Sequence, residues 1–339
     1  MNRGAEGEPV KPGVPAWALV FGRSDSVFHG ASLWGAIVGC VSSVRGNLWL
    51  AVLGVLIAVA GCGESAQEDR GGASTSQDPG PIHVHGLGIN PSDGALFIAT
   101  HTGLFRAPEG VPEAERVAGR YQDTMGFTVV GSDQFLGSGH PDGREDLPPF
   151  LGLIRSDDAG ENWDPVSLLG EADFHVLESS GDLVYGYGSD FKTREQRLLV
   201  SSDGGRSWKQ RPLPEPASEQ LTEESLLSIA IDPDDHSAII ASGQEALWES
   251  TDQGRRWSFV SADPGLLAWP DADAIYLVTG DGEVKVSGDR GRAWKAVGSL
   301  GGAPAAFEAS GDSLHAALHD GTIKQSTDGG VTWSVRSTP

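Results

Sequence analysis

The segment Ser326-Thr-Asp328-Gly-Gly330-Val-Thr-Trp333 decides the reading of the whole chain, because its spacing returns four more times. Ser-x-Asp-x-Gly-x-x-Trp also stands at Ser156–Trp163, Ser201–Trp208, Ser250–Trp257 and Ser287–Trp294, at intervals of 37 to 49 residues. The residue types suit a tight turn. Asp accepts local backbone N–H bonds, Gly supplies a positive φ, and Trp packs its ring between sheets. Working outward from the last copy, Pro304–Ser310, Ser313–His319, Thr322–Ser326 and Thr332–Ser337 read as four short strands. The same rhythm fits 83–119, 126–167, 174–212, 226–261 and 265–298, although the first unit has lost its turn motif. A unit of this size repeated six times predicts an all-β, six-bladed β-propeller over 81–339. First and last units each look complete, so the ring is expected to close without a shared blade.

Composition agrees and excludes some functions. The chain has 339 residues, a formal net charge of −23, 47 Gly and ten Trp. That acidity argues against nucleic acid, which is bound chiefly through clustered Lys and Arg. The two cysteines, Cys40 and Cys62, both precede the repeats, so no thiolate metal site or disulfide framework is expected within them.

The N-terminal 80 residues read differently. Leu48–Ala60 is a near-apolar run behind Arg45, too short for a membrane span of ~20 residues and suited to a signal-peptide core. It ends in Val59-Ala60-Gly61-Cys62, which resembles a bacterial lipobox. That resemblance implies cleavage before Cys62, its lipidation, and a membrane-anchored, extracytoplasmic protein of the cell envelope. Residues 44–62 are therefore expected to be a lipoprotein signal. Residues 1–43 read as an unstructured leader or an over-extended start, with Val44 as initiator. Residues 63–80, polar and almost free of apolar side chains, read as a flexible tether.

Blade topology sorts the candidate site residues. The Asp-containing turns join third to fourth strands and mark one face; inner-strand starts and second-to-third turns mark the other. His83 and His85 open the first inner strand, where i, i+2 spacing puts both imidazoles on one side. His101 and His140 fall in second-to-third turns, and His175 starts the third inner strand. Asp123 and Met125 lie at the second. These residues are expected to converge on one sector of the channel mouth as a ligand site. His83, His85, His101, His140 and Met125 would suit zinc or copper. His236, His315 and His319 are read as structural. An alternative is glycoside hydrolysis by two carboxylates chosen from Asp123, Asp142, Glu171 and Asp173. A third reading is a scaffold for a protein partner.

The repeat resembles the Asp box, or BNR repeat, of sialidase-like propellers, with Asp158, Asp203, Asp252, Asp289 and Asp328 as its acids. Several segments also resemble a bacterial family of Asp-box lipoproteins labelled glycosylhydrolase or exo-sialidase: His83-Val-His85-Gly-Leu-Gly, Ala99-Thr-His101-Thr-Gly-Leu-Phe-Arg106, Met125–Gly131, Leu136-Gly-Ser-Gly-His140-Pro-Asp142 and Ser167–His175. The resemblance implies a propeller, a lipid anchor and a small-molecule or glycan ligand. It does not carry sialidase chemistry. Arg255, Arg256, Arg290 and Arg292 fall inside Asp boxes and Arg336 just after one, which leaves no arginine triad. Phe105-Arg106-Ala107-Pro108 stands in a third strand, where the sialidase Phe-Arg-Ile-Pro motif does not occur.

Overall fold

A computed structural model describes residues 78, 80–214, 222 and 225–339. Leader, signal and tether, with Cys62, lie outside the described residues except for the tether's end. The rest is six four-stranded antiparallel sheets, each built from consecutive strands. Blade 1 holds β1 (Val84–Ile89), β2 (Leu96–Thr100), β3 (Gly103–Ala107) and β4 (Glu115–Arg116); blade 2 holds β5 (Asp123–Gly131), β6 (Gln134–His140), β7 (Leu153–Ser156) and β8 (Asp164–Ser167). Blade 3 holds β9 (Ala172–Ser180), β10 (Leu183–Asp190), β11 (Gln196–Ser201) and β12 (Lys209–Arg211). Blades 4, 5 and 6 begin at β13 (Ser228–Ile231), β17 (Leu266–Asp271) and β21 (Pro304–Ser310), and blade 6 ends at β24 (Ser334–Ser337).

The six inner strands form a ring, each against the next, with β21 returning to β1. Among the described residues no strand is exchanged at the seam. Closure rests on packing of Val84, Leu87, Ile98 and Phe105 against Ala306, Ala317 and Ile323. Arg336 adds hydrogen bonds to the carbonyls of Ala107, Pro108 and Val111, and Ser337 Oγ donates to the Pro112 carbonyl.

Each Asp box is built alike. In the blade 3 copy Ser201 Oγ donates to Asp203 Oδ1 at 2.7 Å and accepts from the Gly205 N–H at 2.8 Å. Asp203 Oδ1 also accepts from the Ser207 N–H at 2.9 Å, and Gly205 takes φ +83°. Every box Trp packs on the core between its own blade and the preceding one: Trp163 on 1/2, Trp208 on 2/3, Trp257 on 3/4, Trp294 on 4/5 and Trp333 on 5/6. Ser201 Oγ is thus a buried acceptor, and Ser201→Ala is expected to cost about 1–2 kcal/mol. Urea unfolding checks this; a change below about 0.3 kcal/mol would mean the backbone holds the turn unaided.

Candidate functional site

Four inner strands carry the same irregularity near their start. In β1 pairing slips between Val84 and Gly86, in β5 between Thr124 and Gly126, and in β9 opposite Tyr187 and Gly188. The extra residues are His85, Met125 and His175, so the bulge sets equivalent side chains out of the ladder in blades 1, 2 and 3. β21 bulges at the matching place with Ala305. The i, i+2 expectation for His83 and His85 needs correction in its reason. His83 precedes β1 with φ +54°, and His85 is the bulge residue. Both rings nevertheless meet His101, with centroids 5.4 Å and 4.3 Å away.

From His101 an alternating row of imidazoles and carboxylates runs across the three blades. His101 Nδ1 lies 2.8 Å from Asp123 Oδ1, and His140 Nδ1 lies 3.2 Å from Asp123 Oδ2. His140 Nε2 then faces Asp173 Oδ2 at 3.6 Å, and His175 Nε2 stands 3.2 Å from the same oxygen. Register places the row: Asp123 pairs with His140 across β5 and β6. Asp173 is 3% exposed, and its Oδ1 has no hydrogen-bond partner.

Electrostatics divides these groups. Burial pulls the His85 imidazole down to about 4, helped by the field of His101, so the ring is neutral at physiological pH. Its Nε2 is buried without a hydrogen-bond partner. Burial pushes Asp123 upward, but the bonds from His140 and His101 outweigh it and hold the carboxyl below its ordinary range. An Nδ1–H donated to Asp123 leaves the lone pair of His101 on Nε2, the usual arrangement behind a metal-ligating histidine. One donor atom each from His85, His101 and Asp123 lie within 4.8 Å of one another.

The remaining candidates separate. Asp142 is buried and occupied: Arg144 pairs with it through Nε at 2.9 Å and through Nη2, and the Tyr121 N–H donates to it at 2.7 Å. The Arg144 guanidinium holds its carboxyl far below the usual range, so Asp142 locks the loop after β6 and is poorly suited to give or take a proton. Glu171 is exposed on the rim, where its carbonyl accepts from Phe191 N–H at 2.8 Å. Met125 is half-buried at its bulge. His236 bonds Ser180 at 3.0 Å away from the site, while His315 is buried inside blade 6 and His319 lies in the second-to-third turn of that blade. Sequence reasoning missed Phe150, Phe191 and Arg194 beside the row. Phe150 packs edge-on against His140 at 5.5 Å, and the Arg194 guanidinium lies 4.9 Å from the Phe191 ring. It also missed Glu178 of β9 and Glu308 of β21, which line the same channel as His85 and His175.

No family model and no curated protein sequence matches this chain. Solved structures do. The GH74 xyloglucanase from Xanthomonas campestris is 16% identical with a TM-score of 0.52, covering 76% of this chain but only 45% of that one. A nidogen/laminin complex chain is 12% identical with a TM-score of 0.51, covering 68% of this chain and 88% of that one. YCF48 from Cyanidioschyzon merolae is 17% identical with a TM-score of 0.47, covering 76% and 85%. The likeness to the first two establishes the propeller and leaves the chemistry to the side chains.

Proposed function

We propose that this protein binds a divalent metal ion, zinc or copper(II), at the channel mouth through His85, His101 and Asp123. The grouping of their donor atoms within 4.8 Å carries the reading. The buried, unpartnered Nε2 of His85 supports it, since a neutral imidazole with no other bond is a ready ligand. Imidazole nitrogens with a carboxylate and no thiolate suit zinc and copper(II). His140 and Asp173 extend the hydrogen-bonded row that orients Asp123, and His83 and His175 flank it. Bound metal would supply a Lewis acid facing the open mouth; the chain's own residues hold and orient it.

The rest of the proposal comes from sequence. Cys62 would be lipidated and hold the propeller at the outer side of a bacterial membrane, as in the Asp-box lipoproteins the chain resembles. Mass spectrometry of the mature protein tests this separately, by finding or failing to find a diacylated N-terminal Cys62.

Titration calorimetry of the chain, purified without a histidine tag, tests the metal site. Zinc or copper(II) should bind once, and His85→Ala with His101→Ala should weaken it at least a hundredfold while leaving the melting transition cooperative. Unchanged affinity in that double variant, or no binding in the parent, would overturn the site. Turnover of aryl glycosides lost in Asp123→Asn and Asp173→Asn would instead favour hydrolysis by those two acids. A captured protein partner indifferent to all these changes would favour a scaffold role.

A further inference from the structure

On the Asp-box face a cavity of about 290 Å³ opens between blades 2 and 3. Its floor is aliphatic: Val130, Leu136 and Val166 from blade 2 and Val184 from blade 3. Its polar groups are Arg155, Arg206 and Asp182. The repeat supplies an internal comparison, because at the equivalent seam between blades 4 and 5 an arginine spans the two blades. There the residue after the box Asp is Arg290, whose guanidinium reaches Asp232 and lies 3.3 Å from Glu249. Arg292, two residues on, donates to the other oxygen of Glu249 at 2.6 Å. Glu249 is the residue just before its box Ser.

Two of these three positions differ at the 2/3 seam. Gly204 replaces the plugging Arg290, Arg155 replaces the neutralising Glu249, and Arg206 keeps the place of Arg292. The backbone shape is the same, since Gly204 has φ +68° and Arg290 φ +60°. A side chain is therefore missing where one would fit, and the acid that would quench Arg206 has become a second guanidinium. Arg206 donates to the Asp203 carbonyl at 2.7 Å, as Arg292 does to Asp289 at 3.0 Å, and makes no ion pair among the described residues. Among the described residues Arg155 pairs only with the exposed Asp157, at 2.8 Å.

We infer that this cavity is a binding site for a small organic anion with an apolar body, its charged head held between Arg155 and Arg206. Asp182, at the rim, accepts a hydroxyl or ammonium if the ligand carries one. The volume sits at the lower end of small-molecule sites, ~300–1,000 Å³, and an aliphatic floor beneath two guanidiniums selects shape and charge together. The site lies on the face opposite the metal mouth and stands independently of it.

Phenylacetate is the probe, with phenylacetamide as its neutral isostere, both followed by saturation-transfer NMR on the full chain. Phenylacetate should bind saturably in the millimolar range or tighter, and at least tenfold better than the amide. Arg155→Glu with Gly204→Arg recreates the Arg290–Glu249 arrangement of the 4/5 seam; it should weaken phenylacetate at least tenfold and leave or raise Tm. Gly204→Arg alone should also block the cavity, which guards against misfolding of the double variant. Equal binding of acid and amide, no saturable binding, or binding unaffected by either variant would overturn the site.

Discussion

Gly188→Ala should destabilise the protein by about 3 kcal/mol and dismantle one end of the histidine row. Gly188 sits on β10 opposite Phe174, directly beyond the bulge at His175. A Cβ there would overlap the Asp173 carbonyl oxygen and approach Phe174 Cα to 2.7 Å. Both obstacles are backbone, so no rotamer change relieves them; the start of β9 must move. Asp173 moves with it, and with it the shared partner of His140 and His175. Gly143, whose added Cβ would meet nothing within 4 Å, is the control, and Gly143→Ala should be nearly neutral. Urea unfolding of both variants decides it. A loss below 1 kcal/mol for Gly188→Ala would show that the bulge is soft and that the row tolerates displacement.

That bulge also marks where sequence stopped being informative. The repeats are legible because the Asp box needs fixed residue types: the hydroxyl of Ser201, the carboxylate of Asp203 and the positive φ of Gly205 admit few substitutes. In blade 6 the expected Pro304–Ser310 strand is reproduced residue for residue, and the next three differ by one or two residues at their ends. The inner-strand bulge has no such signature, since His85, Met125, His175 and Ala305 share only a position. Strict alternation was the available guide, and it fails where the ladder slips by one. The histidines and acids at strand starts lie in one row across blades 1 to 3. Sequence position did not distinguish Asp123, which serves two imidazoles, from Asp142, which Arg144 and the Tyr121 N–H occupy. Glu178 and Glu308 were invisible for a different reason. Only closure of the six-membered ring places blades 3 and 6 across one channel.

Those channel carboxylates and His315 should shape stability against pH from opposite sides. Burial pulls His315 down to about 4, with the Arg336 charge assisting, while the unfolded chain titrates near 6.5. Its contribution is complete above pH 6.5 and is lost as pH falls toward 4, a loss of up to about 3 kcal/mol at ~1.4 kcal/mol per unit. His315→Leu, similar in volume and with no buried Nδ1 left unpaired, should make the protein about 2 kcal/mol more stable than the parent at pH 4.5. His85, also depressed to about 4, keeps part of the acid limb in that variant. Glu308, the cross-strand neighbour of His315, behaves oppositely. Burial pushes it up to about 8, and burial with the charge of Glu308 pushes Glu178 up as well. The contribution of Glu308 is complete below about 4.5 and is lost as pH rises toward 8, and Glu178 acts in the same direction. The groups lining the channel around them include His85, His175 and Ser228 but no Lys or Arg to offset the two acids. Both glutamates are half-buried along the channel, so screening reduces the alkaline loss to about 1–2 kcal/mol. Glu308→Gln should recover that amount at pH 8.5 and change little at pH 4.5. Urea midpoints from pH 4 to 9 for parent, His315→Leu and Glu308→Gln separate the two limbs. If Glu308→Gln moved the acid limb instead, the two carboxylates would be ionised at neutral pH, and the channel would have to hold a counter-charge.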